Sequence, residues 1–176
     1  VNVTSTRGES VTSSKATFSM GLLTRDSWSG QFIGLGSGDG VNDPWFRTLF
    51  ELPQDGSGSA LLYVASVGFC EATVNGHPVS DAVLSPSISY LPKRILYRTY
   101  DVTDLLVSGA NNTIGLWAAT GWADYADMSW AEKTAWGSAP LVLAELRVNN
   151  KVVAATDSET WLTRKSTTSR LGDWGE

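Results

Sequence analysis

Phe69-Cys70-Glu71-Ala72-Thr73-Val74-Asn75-Gly76 is the stretch on which the fold turns. Its apolar residues alternate with others, the period of a half-buried strand. Asn75-Gly76 then closes it with two residues that tolerate positive φ, the strongest short hairpin signal in the chain. The pattern repeats in both directions. Upstream lie Thr17–Leu23, Trp45–Leu52, stopped by Pro53 and the Asp55–Ser59 loop, and Ala60–Val67. Downstream lie Ile95–Tyr100, Thr113–Ala119, Leu141–Val148, Val152–Ala155 and Thr160–Lys165, with Asn149-Asn150 reading as another hairpin turn. Helical signals are few. Thr103–Val107 suits one turn, with Asp101 or Thr103 as its N-cap and Gly109 near its stop, and Asp127–Ala135 suits a short helix within a loop. Many closely spaced strands with little helix predict an all-β sandwich or closed barrel.

The chain has 176 residues, 42% of them hydrophobic, which suits one domain spanning 1–176, with residues 1–16 as a linker or an edge strand. Its formal charge of -5 and scattered Lys and Arg, clustered only at Lys93-Arg94, argue against a nucleic-acid partner. No run approaches the roughly 18 apolar residues of a membrane span. The single cysteine, Cys70, has no partner for an internal disulfide and no metal-type spacing to the one histidine, His77; it reads as a small buried apolar residue. Eight tryptophans are an excess that points to an aromatic ligand surface, although each one taken singly is better suited to core packing. The chain opens on Val1 with no signal-peptide pattern, as a mature product or an excised segment would. The sequons Asn2-Val3-Thr4 and Asn111-Asn112-Thr113 add weak support for a secreted, extracellular protein.

Two long loops stand out. Gly34–Pro44 is glycine-rich and carries the oxygen-bearing side chains of Asp39, Asn42 and Asp43. Thr120–Pro140 carries Trp122, Asp124, Tyr125, Asp127, Trp130 and Trp136. Loops of this length in a compact domain are functional or disordered, and the aromatic content of the second argues against disorder. Rings beside acceptors suit saccharides, which need paired hydrogen bonds to hydroxyls and an aromatic face for their apolar side. The competing reading is a loop packed over the sandwich edge. Asp124 and Asp127 also resemble an acid/base pair, but two acids three residues apart reach glycosidase spacing by accident. Arg47 suits pairing with a buried acid better than reaching a ligand. Asp101 and Asp104 read as capping and turn residues. The glycine-rich loop lacks the Lys-Ser/Thr ending of a phosphate loop.

A series of motifs in order carries a family resemblance. It runs Phe18–Leu23, Trp28, Phe32–Gly34, Pro44–Phe50, Ala65–Gly68, Val74–Val79, Leu84–Pro86, Tyr97–Leu106, Gly121-Trp122, Asp157–Trp161 and Gly175-Glu176. Together these resemble the non-catalytic β-sandwich region of α-L-rhamnosidases of glycoside hydrolase family 78, which is similar to family 67 of carbohydrate-binding modules. The resemblance covers roughly residues 17–176 and implies a jelly-roll β-sandwich, galactose-binding-like in form. It further implies a module that recognises L-rhamnose in plant or algal polysaccharide, assisted by calcium. Asn42, Asp43, Trp45, Trp122, Asp124, Tyr125 and Trp136 are the candidate sugar contacts, and Asp39, Asn42 and Asp43 the candidate calcium ligands. Calcium accepts about 6–8 oxygens in loose geometry and can take vicinal hydroxyls directly. The family's catalytic part is a separate (α/α)6 barrel, and no position here matches its acidic residues. The alternatives are a structural sandwich domain of a larger rhamnosidase with no ligand of its own, and a stand-alone hydrolase or lyase acting on glycans.

Overall fold

The computed structural model describes residues 1–14, 16, 18–35, 43–56, 58–91, 93–124 and 140–168. Residues Asn2–Thr4 (β1) and Ser10–Thr12 (β2) pair as an exposed hairpin apart from the other sheets. The remaining strands are Ile33–Gly34 (β3), Trp45–Leu52 (β4), Ala60–Val67 (β5), Phe69–Val74 (β6), His77–Pro78 (β7), Tyr97–Asp101 (β8), Ala110–Ala119 (β9), Leu141–Val148 (β10), Lys151–Ala155 (β11) and Leu162–Arg164 (β12). They form two five-stranded antiparallel sheets. The first has the order β11-β10-β5-β8, with β3 also on β10, and the second the order β12-β4-β9-β6-β7. From β4 to β6 the chain changes sheet at every step, and it does so again through β8, β9 and β10. The molecule is therefore a β-sandwich whose pairs are mostly distant in sequence. Among the described residues no helix is long and apolar enough to cross a membrane.

Alternation decides which side chains meet between the sheets. In β4, Phe46 and Thr48 are buried while Trp45, Arg47, Leu49 and Glu51 are exposed. In β9, Ile114, Leu116 and Ala118 turn inward and Trp117 outward. These residues join Leu62, Val64, Val74, Val142 and Leu146 in one core cluster that draws on both sheets. The expected hairpin turns form. Asn75 and Gly76 have φ of 51° and 80°, and Asn149 and Asn150 have 49° and 65°, the left-handed pair that matches strand twist. The expected turn after β8 is a 3-10 segment, Thr103–Leu105. Asp101 accepts from the Thr103 amide at 3.0 Å and from its hydroxyl at 2.6 Å. These bonds, the hydroxyl's first, hold the Asp101 carboxyl below the usual range.

Residues 18–23 depart from expectation. They form no strand, and Phe18, Met20 and Leu23 are exposed. Instead this segment begins a strap, continuing to β3, that crosses the outer face of the first sheet. The Tyr97 hydroxyl donates to the Leu22 carbonyl at 3.2 Å, and the Gln31 amide donates to the Thr156 carbonyl at 2.9 Å. The Ser29 and Gly30 amides donate to the carboxylate of Glu145, which has no exposed surface. Arg147 donates to the other oxygen of that carboxylate at 2.6 Å and to the Ser27 carbonyl. The strap is thus tied by polar bonds and by Trp28, whose ring stands edge-on to Tyr97 at 5.4 Å and to Tyr63 at 6.2 Å.

Cys70 is buried on the inner face of β6, as its alternating context implies. Burial, aided by the neighbouring Glu71 carboxylate, pushes its thiol up to about 12. A thiol needs its thiolate form to react. The native protein at pH 8 is therefore expected to resist iodoacetamide over hours, and the denatured chain to be alkylated within minutes. Mass spectrometry of the two samples checks this, and rapid labelling of the native protein would contradict the packing.

Candidate functional site

The outer face of the second sheet carries the feature most suited to ligand contact. Trp45 and Trp117 are direct cross-strand partners on β4 and β9. Alternation sends both side chains outward because their neighbours Phe46, Leu116 and Ala118 fill the core. The two indoles lie 6.0 Å apart at 76°, and remain 48% and 41% exposed. So much bare indole surface is unusual, since Trp is on average highly buried. By contrast, Trp161 is buried and donates its indole N–H to the Ala155 carbonyl at 2.8 Å. The described tryptophans are therefore divided between core and surface.

Register extends the pair into a row. Arg164 on β12 faces Trp45, and Glu71 on β6 faces Trp117. Both charged residues are exposed. With strands about 4.8 Å apart, the four side chains span roughly 14 Å: a cation, two rings and a carboxylate. The next row places Leu162, Arg47, Gly115 and Thr73 side by side. Gly115 keeps this row low beside Trp117; a Cβ there would approach the Thr73 hydroxyl to 2.7 Å. Arg47 is exposed here and has no ion pair among the described residues, so the expected buried acid partner is replaced by a place on the open face.

Of the residues singled out from the sequence, Trp45 lies at the centre of this row. Asp43 lies two residues before it, half-buried, and its carboxylate accepts from the Thr168 hydroxyl at 3.3 Å. Trp122 and Asp124 fall in the 3-10 segment Gly121–Asp124, directly after β9, and their side chains lie outside the description. Asp39, Asn42, Tyr125 and Trp136 lie outside the described residues altogether, as do Asp127 and Trp130. The described ends of the two long loops lie on neighbouring strands. The first loop leads into β4 at Trp45, and the second leaves β9 just after Trp117. Asp43 is an oxygen donor of the kind calcium takes, so this one described ligand is chemically compatible with that ion. Among the described residues no group of three or more His, Cys, Asp or Glu is placed to hold a metal.

Trp117 is a functional residue that sequence reasoning misses. Its strand is legible as Thr113–Ala119, where the inward Ile114, Leu116 and Ala118 send Trp117 outward. The signal was present; what it lacked was the knowledge that β9 pairs with β4 in the register that sets Trp117 against Trp45.

Comparison with known proteins agrees with this architecture. Residues 57–173 match the family model described as the α-L-rhamnosidase N-terminal domain. An α-L-rhamnosidase of Formosa agariphila is 37% identical over 146 residues, covering 76% of this chain and 15% of that protein. One from Streptomyces avermitilis is 36% identical over 103 residues, covering 58% of this chain and 10% of that protein. Among solved structures, the native α-L-rhamnosidase of Aspergillus terreus superposes with a TM-score of 0.68 at 28% identity, over 82% of this chain and 18% of that one. The Streptomyces avermitilis enzyme complexed with L-rhamnose gives 0.60 at 26% identity, over 71% of this chain and 12% of that one. The chain thus spans less than a fifth of the length of these relatives. By the family match and by a sandwich shared with solved rhamnosidases, this chain belongs to the α-L-rhamnosidase N-terminal domain family.

Proposed function

We propose that this domain is a non-catalytic carbohydrate-recognition module of a larger, secreted α-L-rhamnosidase, and that it holds L-rhamnose or a rhamnose-containing glycan on the rim around Trp45. The observation that carries this reading is the exposed Trp45–Trp117 pair, with Asp43 just before it in the chain. A deoxy sugar presents a methyl group and an apolar ring face, which suit an indole surface. Its hydroxyls need paired donors and acceptors, which Arg164 and Glu71 supply on either side of the rings. Asp39, Asn42 and Asp43 would hold the calcium ion, and Asn42, Asp43, Trp122, Asp124, Tyr125 and Trp136 would complete the sugar contacts from the two loops. When bound, calcium supplies a hard cation for vicinal hydroxyls.

Calorimetry with L-rhamnose tests the reading. A single ring should bind with Kd on the order of 1 µM to 1 mM. EDTA should weaken it, and Trp45→Ala or Trp117→Ala should weaken it at least tenfold, which corresponds to about 1.4 kcal/mol. Both indoles are exposed, so thermal stability should change little. Absence of heat at millimolar sugar in calcium buffer would sink the reading.

One further observation favours a second reading. Leu49 and Leu162, both more than 60% exposed, lie on the same outer face as the tryptophans. Exposed apolar side chains on one face also suit packing against the remainder of a longer chain. In that case the tryptophan variants would leave sugar titrations flat and alter only the contact with the rest of the enzyme.

A further inference from the structure

The opposite side of the sandwich carries a second, differently charged concavity. The strap over the first sheet does not seal that face. Between its 25–32 portion and the 91–97 segment leading into β8 lies an open cleft of about 870 Å³. Ligand clefts commonly measure about 300–1,000 Å³, so this one is large enough for several sugar rings. Its floor is the outer face of β5 and β10, at Ala65 and Leu143. Trp28 and Tyr97 line its wall, locked edge to face at 5.4 Å, so the aromatic surface is pre-formed.

The charges around this cleft have a sign opposite to that of the molecule. The chain carries a net -5, yet the cleft is lined by Arg25, Lys93 and Arg94 against the single carboxylate of Asp26. The cations stand on both walls, Arg25 on the strap and the other two on the facing segment. All four charged residues are exposed, and the Arg147–Glu145 ion pair lies apart from them beneath the strap. Arg25 and Arg94 thus have no described carboxylate partner. Lys93 is held over the ring of Tyr90 at 5.8 Å. A guanidinium on each side of an aromatic-walled groove suits planar, bidentate capture of an anionic group, with a sugar ring lying against the indole.

We infer that this cleft is a second glycan site, selective for an anionic oligosaccharide that bears carboxylate or sulfate groups. The anion would lie between Arg25 and Arg94, and an adjoining ring against Trp28. The inference rests on reading the domain as glycan-recognising, but it uses no residue of the Trp45 surface. The two sites would let one module engage a neutral residue on one face and a charged stretch on the other.

Titration of the 176-residue protein with tetragalacturonate, a sulfated oligosaccharide of similar length and neutral maltotetraose tests it. At least one acidic probe should bind ten times or more tighter than maltotetraose. That preference should shrink between 50 and 500 mM NaCl, because exposed charges are screened. The carboxylate and sulfate arms identify which anion the cleft prefers. The double variant Arg25→Gln/Arg94→Gln should reduce acidic binding at least tenfold. Asp26→Asn, which removes the one opposing charge, should strengthen it several-fold. Equal binding of acidic and neutral probes, no binding of either acid at millimolar concentration, or an Asp26→Asn variant that binds acid no better would overturn the inference. If L-rhamnose fails to bind while an acidic probe binds through the arginines, only the Trp45 reading falls; the reverse result removes only the cleft.

Discussion

Replacing Arg147 with Met is expected to lower the stability of this domain by about 3–5 kcal/mol, a melting-point loss of roughly 6–20 °C for a domain of this size. The reason is the partner left behind. The Glu145 side chain has no solvent exposure, and Arg147 beside it is only 16% exposed. One Glu145 oxygen takes the Arg147 contacts, while the other accepts from the Ser29 and Gly30 amides. Without the guanidinium the carboxyl stays buried with one of its two oxygens deprived of its partner. Thermal denaturation in a differential scanning calorimeter checks the magnitude. A second variant separates the ion pair from simple loss of side-chain volume. Glu145→Leu/Arg147→Met removes both charges and should recover part of the loss, because the stranded charge costs more than the pair contributes. If Arg147→Met melted within about 2 °C of the parent, the carboxylate would have to be solvated and the buried pair would be wrong. The same bond network ties the strap to the first sheet. Hydrogen exchange at the Ser29 and Gly30 amides should therefore quicken in the single variant before global unfolding does.

Asn112→Ala is expected to cost about 2–4 kcal/mol, although the residue forms part of a surface-type sequon and its neighbour Asn111 is exposed. The Asn112 side chain is fully buried in the second sheet, near the turn after β8. Its carbonyl oxygen accepts from the Asn75 side-chain amide and from the Val107 backbone amide, each at 2.8 Å. Its own amide donates to the Val107 carbonyl at 2.8 Å and the Ala110 carbonyl at 3.0 Å. Asn75 in turn donates to the Leu105 carbonyl and accepts from the Thr113 amide. One side chain thereby fastens the 105–110 loop to the Asn75-Gly76 hairpin. Truncation removes four hydrogen bonds made at a fully buried side chain, and unmade buried bonds cost more than made ones contribute. Chemical denaturation should show a lower midpoint with little change in slope. The Val107 amide should lose exchange protection more than amides in β5 or β10. A variant that kept its midpoint within a few tenths of a molar would mean that water replaces the asparagine.

The sequence by itself determined the bounds of four central strands and the hairpin turns, because each rests on local chemistry. Side chains alternate every second residue along a strand, and Trp45–Leu52, Ala60–Val67, Phe69–Val74 and Leu141–Val148 keep the bounds read from pattern alone. Asn75-Gly76 and Asn149-Asn150 form turns because both positions of each tolerate positive φ. Family-like motifs were legible for the same reason: they are contiguous runs. What only the tertiary structure decided is which distant runs lie side by side. Trp45 meets Trp117 through strand pairing, and Glu145 meets Ser29 through a strap whose apolar alternation had read as a strand. Residues 18–23 carry that local pattern but join no ladder, and they lie against a side chain of β8 instead. Arg25 and the Lys93-Arg94 pair are far apart along the chain and become a basic wall only where the strap and the segment before β8 come together. Local preference depends on a few neighbouring residues; partnership depends on the whole packed chain.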